Sequence, residues 1–266
     1  MKSVHVCVVG DFMRDVNRFY ATVRPTGKDA DYPVVELVRE ERTPGGAGAV
    51  AAMAEAQGAR VTRIGGGMRE PLKRRHIVDG KIAFRDDRER CVPIATEYAD
   101  RLVSDVPADC DVILCSDYAK GIVTERLWAG LVRVGPPILV DAHPGKDYPG
   151  AWGLLRSGEF ADWWPYEIRK YGAHGFIACA HSGELGSHLR EYHPRCQAPV
   201  DPCGAGDMLL ASMGVAIANG CSWFDAAEWA AAACAEECRR WGAVCVPLEA
   251  IDALAPWLRE ETRACG

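Results

Sequence analysis

The chain has 266 residues, 48% of them hydrophobic and 26% charged, which excludes a disordered polymer and leaves room for one large α/β domain or two small ones. Its formal net charge of −6 excludes the overall basicity of a non-specific nucleic-acid binder, although a local basic pocket for a small anion is compatible with that total. No window reaches the roughly 18 apolar residues of a membrane span, and the apolar run at the N-terminus is too short for a signal peptide, so a soluble cytoplasmic protein is expected.

Val4–Val9 predicts a buried strand whose C-terminal end, Gly10-Asp11, presents a carboxylate. Residues 12–44 are polar and turn-rich, with one predicted strand at Pro33–Val38. Pro44-Gly45-Gly46-Ala47-Gly48 leads into an alanine-rich helix, Ala49–Gln57, closed by Gly58. Val61–Ile64 is a second core strand, broken by Gly65-Gly66-Gly67. Residues 73–90 alternate charged and apolar side chains around Asp79-Gly80, the pattern of a hairpin. Asp111–Cys115 is a third core strand, followed by Ser116-Asp117-Tyr118-Ala119-Lys120-Gly121 and a helix near 124–133. Ile138–Val140 is a fourth, ending in Asp141, and Phe176–Ala180 a fifth. After a loop of small residues at 201–206 come two alanine-rich helices, about 207–219 and 223–240. Strands alternating with helices predict a mostly parallel sheet, in which ligands sit outside the carboxyl ends of the strands. A single domain over residues 1–266, with a small β lid drawn from 12–44 and 73–90, is the simplest organisation.

The twelve cysteines occur mostly singly in apolar strands and helices, and no Cys-x-x-Cys pair is present. Cys234 and Cys238 fit buried thiols on one helix face better than a metal cluster with Cys245. Unpaired thiols fit a reducing compartment.

The sharpest chemical signal is Asp201-Pro202-Cys203-Gly204-Ala205-Gly206-Asp207 running into a helix. Small residues let backbone N–H groups approach an anion closely, and the helix points its positive end at the same place. Asp207 has two readings from the residues alone. It is either an N-terminal carboxylate complementing the helix dipole, or a base that takes a proton from a substrate hydroxyl.

Asp-x-x-Gly-Ala-Gly-Asp opening a helix, with Gly45-Gly46 opening another near the N-terminus, resembles the paired signatures of the ribokinase (PfkB) carbohydrate kinases. Within that family the chain is most similar to the kinase domain acting on heptose 7-phosphate. The narrower match rests on Gly10-Asp11-Phe12-Met13-Arg14-Asp15, Glu41-Arg42-Thr43-Pro44-Gly45-Gly46-Ala47, the basic hairpin from Lys73-Arg74-Arg75 to Arg85-Asp86-Asp87-Arg88-Glu89, Ser116–Gly121, and Gly242 with Val246-Pro247. The resemblance implies a three-layer α/β fold with a mostly parallel central sheet and a β lid, and an ATP- and Mg²⁺-dependent sugar kinase; a homodimer is the expected assembly. The resemblance also implies Asp207 as base, the N–H groups of Gly204, Ala205 and Gly206 as the anion hole, and Asp201 and Cys203 with Gly204 and Gly206 as nucleotide-binding residues. Asp11 and Asp15 would hold sugar hydroxyls against Gly45 and Gly46, and Lys73, Arg75, Arg85 and Lys120 a sugar-borne phosphate. The residue readings beside these are a turn aspartate for Asp11 and a charge-guarded edge strand for the hairpin.

The chain departs from the family pattern at four places. Ala49 stands where asparagine is usual, and Pro202 where a small hydroxyl residue is usual. No Asn-x-x-Glu follows the Asp141 strand, which leaves Glu159 as the metal candidate. The chain is also short, and a segment containing Trp163 and Trp164 replaces a longer helical stretch. The lost elements predict either an oligomer or a repacked sheet edge at those tryptophans. These departures motivate a second reading, a non-catalytic nucleotide- or sugar-binding subunit. A dinucleotide-binding dehydrogenase is disfavoured because Gly10 is followed by Asp11-Phe12-Met13 rather than a Gly-x-Gly-x-x-Gly turn.

Overall fold

The computed structural model describes residues 3–24, 33–66, 70–157, 165–171, 175–181, 187–192, 201–240 and 242–254. In chain order the elements are β1 (His5–Gly10), β2 (Phe12–Arg24), β3 (Val34–Gly46), α1 (Ala47–Ala56), β4 (Arg60–Gly65), β5 (Leu72–Val78), β6 (Lys81–Arg88), α2 (Thr96–Ser104), β7 (Val112–Ser116), α3 (Glu125–Leu131), β8 (Ile138–Asp141), β9 (Gly153–Ser157), β10 (Tyr166–Lys170), β11 (Phe176–His181), β12 (Ser187–Tyr192), α4 (Ala205–Ala218), α5 (Trp223–Glu237) and α6 (Leu248–Leu254).

The central sheet runs β12-β11-β10-β9-β8-β7-β1-β4, parallel from β4 through β10 and antiparallel across its last two pairings. Its inner strands are apolar on both faces because each face meets helices. In β1, Val6 and Val8 pack into the core beneath α1, α4 and α5, whereas Cys7 and Val9 pack into the core beneath α2 and α3. Val112 and Leu114 against Ile113 and Cys115 repeat that division in β7. The period of two is thus invisible in hydropathy, as expected for a sheet covered on both sides. Caps mark the helix starts: Thr124 accepts the Leu127 N–H at the head of α3, and Ser222 accepts that of Asp225 at the head of α5.

The lid is a second sheet in the order β3-β2-β5-β6. Its β5–β6 hairpin turns at Asp79 (φ 47°) and Gly80 (φ 79°), the two left-handed residues a tight primed turn requires. The lid departs from expectation in β2, which continues for 13 residues through a segment read as turn-rich, and in β3, which reaches back to Gly46. Five further elements, α2, β9, β10, β12 and α6, lie where none was expected. In β10 the strand signal is masked by charge: Glu167 is fully buried but lies 2.6 Å from the Arg156 guanidinium of β9. Trp163, Trp164 and Glu159 lie outside the described residues. Among the described residues no helix is long and apolar enough to cross a membrane.

Candidate active site

The loop before α4 is built by side chains that hold its backbone. One Asp201 carboxylate oxygen accepts the Cys203 N–H and the other accepts the Gly242 N–H, each at 3.0 Å. Gly204 adopts φ 102°, and a Cβ there would lie 2.7 Å from Ala243 Cβ and 2.8 Å from Glu237 Oε1, so only glycine fits. Asp201, expected to bind the nucleotide, therefore has both oxygens engaged by the backbone and shapes the loop from behind. Of the three N–H groups expected to form the anion hole, that of Ala205 donates to the Pro202 carbonyl at 3.3 Å, so the loop itself occupies it. Beside Gly206 the wall is open: a Cβ there would meet only Asp141 Oδ2 at 3.6 Å and Lys170 Nζ at 3.7 Å. Asp141, at the end of β8, and Lys170, at the end of β10, form an ion pair there. The helix N-terminus thus has one fixed cation next to it.

Asp207 sits in the first turn of α4 and is 7% exposed. Burial and the nearby Asp141 raise its carboxyl to about 7, against the opposing pull of the Tyr118 hydroxyl and Lys170. A carboxyl titrating there is half ionised near neutrality, which suits a general base. Behind the loop lies a second buried carboxyl, Glu237, raised to about 8 by burial. Its Oε1 has no donor among the described residues.

Across from this loop lies one face of the lid. Strand register places Asp15 of β2 beside Lys73 of β5, Asn17 beside Arg75, and Arg75 opposite Arg85 of β6. Alternate residues share a face, so Asp15, Asn17, Lys73, Arg75, Arg85 and Asp87 form one polar surface. It faces the anion loop, because Arg75 Nη2 reaches Cys203 Sγ at 3.3 Å. Asp15 Oδ1 and Asn17 Oδ1 are buried acceptors with no donor among the described residues. The Asp15 carboxyl also lies against Gly45, where a Cβ would come within 2.9 Å of it. Burial raises the Asp15 carboxyl, opposed by Arg75, Lys73 and Arg85. Arg85 is held on Asp87 through two contacts of 2.6 Å.

Two expected substrate residues stand elsewhere. Asp11 is 1% exposed, and its carboxylate accepts the backbone N–H groups of Tyr118, Lys120 and Ile122 at 3.0, 3.0 and 3.1 Å. It ties down the loop after β7 and offers little to a sugar. Lys120 pairs with Glu89 at 2.5 Å, closing the base of the lid rather than joining Lys73 and Arg75. Gly46 adopts φ 54°, and a Cβ there would lie 2.6 Å from the Asp11 carbonyl oxygen, so its role is to let β3 turn into α1.

Three residues that sequence reasoning left out belong to the site. The Tyr118 hydroxyl donates to Asp207 Oδ1 at 3.1 Å, and its ring lies 4.7 Å beneath the Lys73 ammonium. Asn17 and Lys170 are the others. Tyr118 stood within a segment already singled out, whereas Asn17 and Lys170 lay on strands whose positions were not foreseen.

Comparison with known proteins adds the following. No family model matches the chain. The Bifunctional protein HldE of Acidiphilium cryptum is 26% identical over 284 residues, covering 83% of this chain and 57% of that protein. The protein of the same description from Syntrophotalea carbinolica is 32% identical over 183 residues, covering 56% and 37%. The chain therefore spans well under two thirds of the length of these relatives. Among solved structures, phosphofructokinase-2 from Escherichia coli superposes with a TM-score of 0.72 at 13% identity, covering 97% of this chain and 100% of that one. Ribokinase from Thermotoga maritima superposes with a TM-score of 0.63 at 14% identity, covering 95% and 99%.

Proposed function

We propose, taking the ribokinase-like fold as premise, that this chain is an ATP-dependent kinase that phosphorylates a hydroxyl of a phosphorylated sugar such as heptose 7-phosphate. The observation that carries this reading is Asp207. It is a buried carboxyl raised to about 7 at the mouth of a glycine-built helix N-terminus, facing a basic lid surface.

The residues divide the work as follows. Asp207 accepts the proton of the acceptor hydroxyl as its oxygen attacks the terminal phosphorus, and the β-phosphate oxygen leaves with the bonding pair. The N-terminus of α4 at Gly204 and Gly206, with Lys170 beside it, stabilises the negative charge on the transferred group. Asp15 and Asn17 supply acceptors for sugar hydroxyls, and Lys73 and Arg75 supply cations for the sugar-borne phosphate. The open wall beside Gly206 fits a phosphate chain. Mg²⁺ would be held by the nucleotide phosphates and water, with Glu159, which lies outside the described residues, as the protein contact that the resemblance suggests. When bound, the ion neutralises phosphate charge.

ADP release from Mg-ATP, measured against a panel of sugars and sugar phosphates that includes heptose 7-phosphate, tests the reading. Turnover with one phosphosugar is expected. Silence across the panel, with nucleotide binding still measurable by calorimetry, would replace it with the non-catalytic subunit that Ala49 and the missing Asn-x-x-Glu motivate. Within the panel, Arg75→Ala should raise the KM for the phosphosugar by about 10- to 100-fold, the worth of one charge-assisted hydrogen bond. The KM of the unphosphorylated analogue should stay where it is; an equal change for both sugars would remove Arg75 from the phosphate site.

The proposal includes a homodimer. The lid carries Val38 at 66%, Phe84 at 56% and Ile82 at 53% exposure, a set of large apolar side chains that a second copy would cover. Sedimentation equilibrium should give twice the chain mass, and a single-chain mass would withdraw this part.

A further inference from the structure

We infer that Tyr118 is the positioning residue of the Asp207 base, its hydroxyl holding Oδ1 so that Oδ2 is the oxygen left for the acceptor proton. The inference deepens the kinase reading and rests on it.

Three observations carry the argument. The Tyr118 hydroxyl is the one hydrogen-bond donor on the Asp207 carboxylate among the described residues. The tyrosine is itself held from several sides. Its N–H is bound by Asp11, its ring lies under the Lys73 ammonium, and a Cβ on Gly46 would sit 3.4 Å from its Cδ2. Finally, desolvation of the partly buried phenol, and after it the carboxylates of Asp207, Asp141 and Asp15, push its own ionisation far upward. The phenol therefore stays a donor across the working pH range and never competes for the substrate proton.

The remaining titratable groups around Asp207 come from five other elements. Asp141 on β8 and Asp15 on β2 make its ionisation harder, and Lys170 on β10 makes it easier. Glu237 from α5 and Cys203 from the anion loop also lie within electrostatic reach. Without the phenol, the buried carboxylate would keep Lys170 as its favourable neighbour but have no hydrogen-bond donor. It would then hold its proton more tightly.

Tyr118→Phe tests this, since it keeps the ring under Lys73 and removes only the donor. Two readouts are needed. The acid limb of kcat/KM for the phosphosugar should move up by about one pH unit, the size expected for losing one hydrogen bond to a charged group. The ¹³C resonance of the Asp207 carboxyl, identified by its loss in Asp207→Asn, should titrate about one unit higher in the variant. An Asp207 carboxyl that titrates at the same pH in both proteins overturns the inference, and so does an unmoved acid limb beside a moved carboxyl. Absence of turnover in the wild type would remove the kinase reading, and the carboxyl titration would still decide whether Tyr118 controls Asp207.

Discussion

Asp207→Asn is expected to lower kcat for ADP release by about a thousandfold while leaving nucleotide binding within a few-fold of wild type. The asparagine keeps the shape of the side chain and its contact with Tyr118, but cannot take a proton. Residual turnover above a tenth of wild type would reject Asp207 as the base. The same variant should be more stable than wild type, in a pH-dependent way. The folded carboxyl titrates near 7, above the roughly 3.9 of an unfolded aspartate, so the native state holds its proton more tightly than the unfolded chain does. The resulting stability is complete below the unfolded value and is lost as pH rises through 7. Asparagine has nothing to lose, so its advantage in Tm should be small at pH 5 and roughly 5 °C or more at pH 8. A constant difference across that range would mean that Asp207 is not carrying the strain of a buried charge.

Asp11→Ala should act on the fold. Removing the carboxylate strips the acceptor from the N–H groups of Tyr118, Lys120 and Ile122 in a buried setting. A loss of about 3 kcal/mol is expected, read as a fall in Tm of roughly 6–12 °C. Turnover should fall with it, because the loop that carries Tyr118 is anchored there. If Asp11 instead held a sugar hydroxyl, the variant would melt close to wild type and show its defect in the sugar KM. Thermal melts and initial rates on one preparation separate the two.

The elements that were legible in the sequence are those whose signal is local. The apolar run of β1, the Asp79-Gly80 turn and the small-residue loop before α4 each announce themselves within ten residues. The elements that were not legible depend on distant partners. β2 lies in a lid whose faces are both partly solvated, so Phe12–Arg24 shows no clean alternation. β10 contains a buried glutamate that reads as solvent-facing until Arg156 is placed beside it. α2 lacks a capping side chain at Ala95, and its buried positions, Ala99 and Leu102, are only two. The site divides in the same way. The Asp201–Asp207 loop could be found by motif. The contact of Tyr118 with Asp207 spans 89 residues, and no spacing rule reaches that far. For Asp11 the resemblance implied a sugar ligand and the residues a turn aspartate, and the three N–H groups converging on it favour the structural reading.

The lid is rooted by apolar side chains at the start of β2, where Phe12 packs on the core and Met13 is buried, but its far face meets the loops through polar and charged groups, Arg75 with Cys203 and Glu89 with Lys120. The central sheet, by contrast, is held by apolar burial on both faces. Attractions between partly solvated charges fade as dissolved ions crowd around them, with a range near 10 Å at 0.1 M falling to about 3 Å at 1 M, whereas burial of hydrocarbon does not weaken in that way. Brine and dilute buffer should therefore find one molecule with two mechanical characters: a core and lid root indifferent to the change, and a far face of the lid whose grip on the loops slackens as the ions accumulate.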